Sequence, residues 1–150
     1  MAIDIKLLKQ LREETGISVS ECRQALEDAN GDYKKALELL HSKAAEKAAK
    51  KADRETGQGI VETYVHGGGK IGVMVMLLCE TDFVARTDEF KHLAHEIAMQ
   101  VAAMNPENEE ELLKQEYIKD SSKTIEQMVK EAIHKTGENI VVRKFERFQI

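Results

Sequence analysis

The longest uninterrupted apolar stretch of the chain covers residues 71–79 and includes one glycine. Apolar side chains occupy both alternating sets of positions, which predicts a strand that is buried on both faces. Residues 60–66 alternate weakly between apolar and polar side chains, and the three glycines at 67–69 supply a turn. These segments predict a β-hairpin, and residues 140–148 predict a further strand.

The first 42 residues carry apolar side chains at helical spacing. Asp4, Ser18 and Asp32 each precede such a segment and are suitable N-caps, and Glu21 would complete a capping box with Ser18. The predicted inward faces consist of Ile5, Leu8 and Leu11; of Cys22, Ala25, Leu26 and Ala29; and of Tyr33, Ala36, Leu37 and Leu40. Three helices that share one small core predict a compact bundle over residues 1–42.

Residues 43–58 are predicted to link this bundle to a second domain. The first part of the segment is rich in Ala and Lys, which favours an exposed helix, and two glycines mark its end. Residues 59–150 have a mixed pattern of strand and helix periods. The sequence therefore predicts a helical domain at 1–42, a linker helix and boundary at 43–58, and an α+β core domain at 59–150.

Helices are predicted to cover one face of the sheet in this core domain. Thr87 is a candidate N-cap for a long amphipathic helix that ends before Pro106. A helical segment is also predicted at 109–118, and another helix begins after Ser122 or Thr124. Together with the strands, these elements predict a three-stranded antiparallel sheet packed against helices.

Charge and composition argue against several kinds of partner. The chain has 22 Lys+Arg against 27 Asp+Glu, a net charge of -5, whereas a general nucleic-acid binder shows a basic surplus. Lys43, Lys47, Lys50 and Lys51 could contact RNA, but a solvated linker helix is the simpler interpretation. There is neither a signal peptide nor an apolar run of membrane-spanning length, so we expect no membrane partner. Cys22 and Cys79 are far apart, which is typical of a reduced, cytoplasmic protein.

Motifs that are typical of enzymes have unsuitable surroundings in this chain. The segment 67–70 resembles part of a phosphate-binding loop, but a strand follows where a helix N-terminus is required. Glu89 with His92, and Glu131 with His134, have the Glu-x-x-His spacing of di-iron ligands. On each helix this pair points away from the apolar stripe, which predicts exposure to solvent. We therefore expect neither an enzyme nor a metal or cofactor site.

An acidic-aromatic segment, Thr81-Asp82-Phe83-Val84-Ala85, follows the buried strand as a predicted loop. Phe83 lies outside any periodic apolar pattern, so it is either tucked into the core or held out for a partner. The longer string at 79–86 resembles the signature of the elongation factor Ts family, the bacterial nucleotide-exchange factors of elongation factor Tu. The segments 11–16 with 22–26 and 137–144 support the resemblance, which covers essentially the whole chain. The N-terminal bundle also resembles a ubiquitin-associated domain, which that family carries.

The resemblance implies a role for each residue of this segment. Phe83 would be a wedge inserted near the magnesium and phosphate site of elongation factor Tu. Asp82 would be its polar partner, and Thr81 and Val84 would shape the loop. Displacement of Mg²⁺ would speed the release of GDP, so the protein would bind both the GDP form and the nucleotide-free form of its partner without covalent chemistry.

The resemblance also implies a second contact, from the N-terminal bundle. It points to Arg12, Ile17, Val19 and Ser20. The family commonly has larger apolar residues, often methionines, at the positions of Val19 and Ser20, so this contact is expected to be weaker or matched to a changed partner.

Only a single core follows the bundle, as in short members of the family that supply a second core by dimerising. Met76 and Leu78 occupy positions where members of this family commonly have polar residues. This difference indicates that another surface covers the two side chains. We therefore expect a homodimer through the core sheet. The alternative function is a non-catalytic adaptor that binds a translation protein or nascent chain, and exposure of Phe83 separates the two hypotheses.

Overall fold

The computed structural model describes residues 2–150 as seven helices and five strands. The helices are α1 Ile5–Thr15, α2 Val19–Asp28, α3 Tyr33–Lys51, α4 Asp82–Ala85, α5 Asp88–Met104, α6 Glu109–Lys114 and α7 Ile125–Thr136. The strands are β1 Gln58–His66, β2 Ile71–Cys79, β3 Glu116–Tyr117, β4 Asp120–Thr124 and β5 Ile140–Gln149. The protein has the predicted α+β fold, with a helical N-terminal region followed by a sheet and its covering helices.

Helices α1, α2 and the first half of α3 form the predicted bundle around a separate small core. The side chains of Asp4, Ser18 and Asp32 accept backbone N–H groups of their helices, as the sequence predicts. The predicted third helix and linker helix are one continuous helix, because no breaker interrupts residues 33–51. The prediction of an exposed linker helix was wrong for one face, since Ala48 packs into the core of the sheet domain.

A three-stranded antiparallel sheet in the order β1-β2-β5 forms the centre of the second core. On β2, Val73, Val75 and Leu77 are buried beneath the helices. The alternate side chains lie on the other face, where Met74 is 52% and Met76 38% exposed. The prediction of a strand buried on both faces was therefore wrong for the single chain, which covers only one face of its sheet.

Helices α5 and α7 cover the inner face of the sheet together with α4. Thr87 caps α5, and Thr124 forms a reciprocal capping box with Gln127 at the start of α7. Helix α6 ends at Lys114, before the predicted limit of residue 118. The small antiparallel pair β3–β4 takes its place and was not foreseen, because its strands are short and polar.

The buried side chain of Gln100 holds this small hairpin to α5. Its amide nitrogen donates to the carbonyl oxygen of Glu116 at 3.0 Å, and its amide oxygen accepts the N–H of Ile118 at 3.0 Å. A buried amide that satisfies backbone groups in this way determines where the hairpin sits. Among residues 2–150, no helix combines the length and apolar character that a membrane crossing requires.

Polar side chains join the bundle to the core. Glu21 Oε1 lies 2.6 Å from Lys47 Nζ and 3.0 Å from His134 Nε2. The side chain of His134 is only 4% exposed, and its Nδ1 is buried without a partner. Lys47 Nζ also lies 3.0 Å from His134 Nε2, so the three side chains form one polar cluster between the bundle and the core. Glu21 therefore docks the bundle instead of completing the predicted capping box at the backbone of Ser18.

A second joint lies beside the first. Glu131 is 9% exposed and pairs with His41 of α3 at 3.1 Å and with Lys123 at 3.8 Å. The predicted solvent exposure of Glu131 and His134 was wrong, because the prediction considered one packed face of α7 and this helix has two. Glu89 and His92 are exposed, as predicted.

Candidate functional site

The predicted acidic-aromatic loop is a single helical turn, α4. Thr81 caps it by accepting the N–H of Val84 at 3.3 Å. Val84 and Ala85 are buried and anchor the turn on the core, whereas Phe83 is 82% exposed. Since Thr81 and Asp82 favour a helix N-terminus, the short helix follows from local sequence. We refer to Thr81–Ala85 as the α4 turn.

Among residues 2–150, Asp82 of the α4 turn pairs with one charged side chain. Asp82 Oδ2 lies 3.1 Å from Arg86 Nη2, one helical turn further on, and both side chains are largely exposed. Exposed ion pairs of this kind contribute little to stability. Asp82 is therefore available to another protein at small energetic cost.

The backbone of Thr81 is held from two sides. Burial raises the pKa of the Cys79 thiol, which stays protonated and donates to the carbonyl oxygen of Thr81 at 3.1 Å. On the other side, the carboxylate of Glu138 accepts the N–H of Thr81 at 3.0 Å and its hydroxyl at 2.7 Å. Sequence reasoning missed Glu138, although the segment 137–144 drew attention for its resemblance.

The N-terminal candidates form a second patch, between α1 and α2. Arg12, Val19 and Ser20 are exposed, and Val19 has 49% of its surface free. Ile17 is only 3% exposed and belongs to the bundle core, so it supports the turn from within. We call residues 16–20 the bundle turn.

Gly16 connects the bundle turn to α7. It ends α1 with a left-handed φ of 66°, and the Lys135 side chain lies so close that a Cβ here would come within 2.6 Å of it. A larger residue would therefore be strained and would also displace that lysine. The bundle turn is thus built directly against the core domain.

A hollow of about 290 Å³ lies between α5 and α7. Its buried carboxylate Glu96 is already satisfied by Tyr117 and by Lys119 at 3.0 Å. Burial raises the pKa of Glu96, but these hydrogen bonds outweigh it and leave the pKa below its ordinary value. Within residues 2–150, no three His, Cys, Asp or Glu side chains are grouped as metal ligands. The exposed α4 turn is therefore the stronger candidate for function.

Comparisons with known proteins agree with the order of the two domains along the chain. The family model described as a UBA-like domain matches residues 5–47. The model described as Elongation factor TS matches residues 80–150, which includes the whole of the α4 turn and of β5.

Curated proteins give the same result over nearly the full length. Elongation factor Ts of Thermosipho melanesiensis is 43% identical, with 99% of this chain and 98% of the relative aligned. Elongation factor Ts of Fervidobacterium nodosum is 42% identical over 100% and 99% of the two chains, and that of Caldanaerobacter subterraneus subsp. tengcongensis is 41% identical over 98% and 96%. The first alignment has 193 positions against 150 residues here, so some residues of the relative have no counterpart. This chain belongs to the elongation factor Ts family, a family of translation elongation factors.

Proposed function

We propose that this protein accelerates GDP release from elongation factor Tu by pressing the α4 turn against the nucleotide site of that partner. Phe83 is the wedge, and Asp82 supplies the polar contact that directs its approach. Thr81 and Val84 set the shape of the turn. The protein binds the GDP form, promotes loss of GDP and holds the nucleotide-free form until GTP binds. This exchange takes place in the cytoplasm and involves no covalent chemistry.

The exposure of Phe83 carries this proposal. A phenylalanine that is 82% exposed gains almost nothing from its own fold, yet its neighbours Val84 and Ala85 are buried and fix the backbone beneath it. Aromatic side chains in such positions are frequent anchors of protein–protein interfaces. A rigid base below an exposed aromatic lowers the entropy lost when a partner binds.

The coordination chemistry of magnesium explains how a wedge could speed GDP release. Mg²⁺ requires near-ideal octahedral geometry, so a small shift of its ligands weakens its binding sharply. Loss of the cation leaves the diphosphate charge poorly neutralised, and GDP dissociates faster. Because the coupling is reciprocal, the factor must bind nucleotide-free partner more tightly than the GDP form.

The bundle turn provides the second contact in this proposal. Val19 and Ser20 are exposed there, Arg12 is exposed nearby in the last turn of α1, and Ile17 holds the bundle turn from beneath. The proposed contact is small, with Val19 as its one exposed aliphatic side chain and Arg12 as its one cation. We expect it to contribute mainly to affinity, while the α4 turn determines the rate of GDP release.

Release of labelled GDP from purified elongation factor Tu tests the proposal. The parent protein should accelerate release, and Phe83→Ala should lower the maximal rate by about 10- to 100-fold, the loss typical of an interface anchor. Its stability should change by less than about 0.5 kcal/mol because the side chain is exposed. Ile118→Ala is the matched control, since Ile118 is an exposed apolar residue of the β3–β4 turn.

Two results would contradict the wedge assignment. One is a Phe83→Ala variant that releases GDP as fast as the parent, and the other is a variant that unfolds. A parent protein that binds elongation factor Tu without changing GDP release would support the adaptor hypothesis instead. An adaptor could use the same exposed aromatic for binding, so the rate of GDP release is the measurement that separates the two functions.

The second part of the proposal is a homodimer through the outer face of the sheet. That face exposes Val61, Val65, Met74, Met76 and Phe148, which are between 38% and 73% exposed. A continuous apolar area of this kind usually marks an interface. The occupant that fits is a second copy of the same sheet, because a two-fold axis buries both apolar areas at once.

Charges on this face are self-complementary. Lys144 and Glu146 lie opposite Met76 and Met74 in the strand register, and the two charged groups are 3.8 Å apart. A two-fold axis that passes between Lys144 and Glu146 would place the lysine of one copy beside the glutamate of the other. This arrangement favours another copy over a partner of uniform charge.

Light scattering at micromolar concentration tests the dimer. The parent should have about twice the mass of the 16.9 kDa chain. Met74→Glu places a carboxylate opposite Glu146 and should raise the dimer dissociation constant at least about 100-fold, because it buries an unpaired charge. Met104→Glu, an equally exposed methionine at the end of α5, should leave the mass unchanged. A parent protein that stays monomeric on concentration would contradict the dimer.

A further inference from the structure

The segment Gly137-Glu138-Asn139 lies between α7 and β5, outside both the α4 turn and the bundle turn. Gly137 ends α7 with a left-handed φ of 72°, which turns the chain toward the α4 turn. Thr136 then accepts the N–H of Glu138 at 3.2 Å. The backbone of Glu138 is therefore fixed before its side chain makes any contact.

The Glu138 carboxylate binds the start of the α4 turn through both oxygens. Oε1 accepts the N–H groups of Glu80 at 3.1 Å and of Thr81 at 3.0 Å, and Oε2 accepts the Thr81 hydroxyl at 2.7 Å. The same hydroxyl oxygen accepts the N–H of Val84 and so caps α4. Hydrogen bonds to an ionised carboxylate are about twice as strong as neutral ones.

The contact is reciprocal, which makes the two segments a clasp. Glu80 Oε1 accepts the N–H of Asn139 at 3.2 Å. The Asn139 side chain is buried and donates to the carbonyl oxygens of Ala52 at 3.4 Å and Arg54 at 3.0 Å. The clasp is thereby tied to the end of α3 as well.

The α4 turn needs this external support. One turn of four residues is far too short to be a stable helix by itself. Val84 and Ala85 anchor it on the core side, but the exposed ring of Phe83 has no packing of its own. The direction of the Phe83 side chain thus depends on how firmly the backbone at Thr81 is held.

We propose that Glu138 is the positioning residue of the α4 turn: it acts through Thr81 to hold Phe83 in its partner-binding orientation. This inference rests on the proposed exchange function. Glu138 itself does not touch the partner. Without the Glu138 side chain the protein still has Phe83, but the α4 turn frays. Part of the binding energy is then lost in reordering the turn.

The test measures GDP release from elongation factor Tu at increasing concentrations of the full-length protein. Glu138→Ala should lower the maximal rate about tenfold, because the turn must be reordered in the step that displaces the nucleotide, after the complex has formed. The half-saturating concentration should rise less than about threefold, since the bundle turn is untouched. The amide protons of Thr81 and Val84 should exchange faster, while those of β2 should remain protected.

A conservative variant and a double variant separate positioning from general stability. Glu138→Gln keeps an oxygen for the two N–H groups and gains an NH₂ that can donate to the Thr81 hydroxyl. It should restore the maximal rate to within about threefold of the parent. In the Phe83→Ala background, Glu138→Ala should cause no further loss, because both changes act on the same step.

The outcomes distinguish failure of this inference from failure of the proposed function. A parent that does not accelerate GDP release overturns the function itself. If the parent is active and Glu138→Ala releases GDP at the parental rate, the positioning role is wrong. It is also wrong if Glu138→Ala lowers the maximal rate equally in the parent and in the Phe83→Ala background. If Glu138→Ala does not fold, Glu138→Asp withdraws the carboxylate from Thr81 and leaves the cap of α4 intact: a reduced maximal rate supports the inference, and the parental rate overturns it.

Discussion

The α4 turn and the bundle turn are two exposed helix starts that are built alike but supported differently. Each begins with a hydroxyl side chain that accepts an N–H at 3.3 Å, Thr81 from Val84 and Ser18 from Glu21. The bundle turn is completed by its own neighbours, since Thr15 accepts the N–H of Ile17. The α4 turn instead depends on a carboxylate 57 residues away in the sequence.

The carboxylates at the two turns, Glu21 and Glu138, therefore have different roles. Glu21 accepts the hydroxyl of Ser18 at 2.9 Å through one oxygen, and through the other it joins the bundle to the core by contacts with Lys47 and His134. Glu138 comes from another part of the core and stabilises the α4 turn itself. Changes in the bundle should therefore alter the affinity for elongation factor Tu, whereas changes in the clasp should alter the maximal rate of GDP release.

Removing a core side chain from the bundle tests this separation with the largest effect on stability. Leu11 is fully buried in the smaller of the two cores, so Leu11→Ala should cost about 2–5 kcal/mol there. Hydrogen exchange should accelerate in α1 and α2 but not in β2, because the two cores are separate. The maximal rate of GDP release should stay close to the parental rate, while the half-saturating concentration rises.

Ile97→Ala is the matched control, since Ile97 is equally buried but lies in the core of the sheet domain. It should accelerate hydrogen exchange in β2 and lower the maximal rate of release. If Leu11→Ala and Ile97→Ala gave the same exchange pattern, the two cores would form one cooperative unit and the contrast between the turns would disappear.

The pH dependence of stability isolates the joint between bundle and core. The hydrogen bond from Lys47 lowers the pKa of Glu21 to about 2, against the effect of burial and with help from His134. A pKa below the ordinary 4.5 means that the contribution of Glu21 is complete above about pH 4.5. It is then lost as the pH falls toward 2, because the folded protein is forced to bind the proton.

Glu21→Gln should therefore lower the free energy of unfolding by about 1–2 kcal/mol at pH 7, a value reduced for partial solvent screening. The difference from the parent should shrink as the pH approaches 2. Glu13→Gln is the control, since Glu13 forms only an exposed pair with Lys9 at 3.8 Å. A difference that stays constant from pH 7 to pH 2 would show that the charge of Glu21 does not hold the joint.

Local signals in the sequence predicted most of this architecture. The caps Asp4, Ser18, Asp32 and Thr87 each start a helix where expected, because a capping side chain acts on residues two or three positions away. The segment around Phe83 was identified from sequence, but its form as a helical turn was not. Exposure of Phe83 required the structure, because one aromatic outside a periodic pattern fits either a core or a surface.

What the sequence did not predict involves contacts between distant residues. Glu138, Asn139 and His134 meet partners more than 50 positions away, and no periodicity encodes such pairs. The second packed face of α7 was missed for a related reason. The helical pattern shows where apolar side chains lie, and this face is polar, with Glu131 and His134 compensated by charged residues of α3 and its neighbours.

The smallest expected effect concerns the ion pair within the α4 turn itself. Asp82 and Arg86 are 3.1 Å apart, with side chains 61% and 78% exposed, so solvent screens their attraction. Arg86→Gln should change the free energy of unfolding by less than about 0.5 kcal/mol, because the turn is held by Glu138 rather than by this pair. GDP release should stay within about threefold of the parental rate for the same reason. Thermal denaturation and GDP release on the same sample measure both. A loss of maximal rate as large as the tenfold loss expected of Glu138→Ala would mean that the α4 turn is supported locally after all, like the bundle turn.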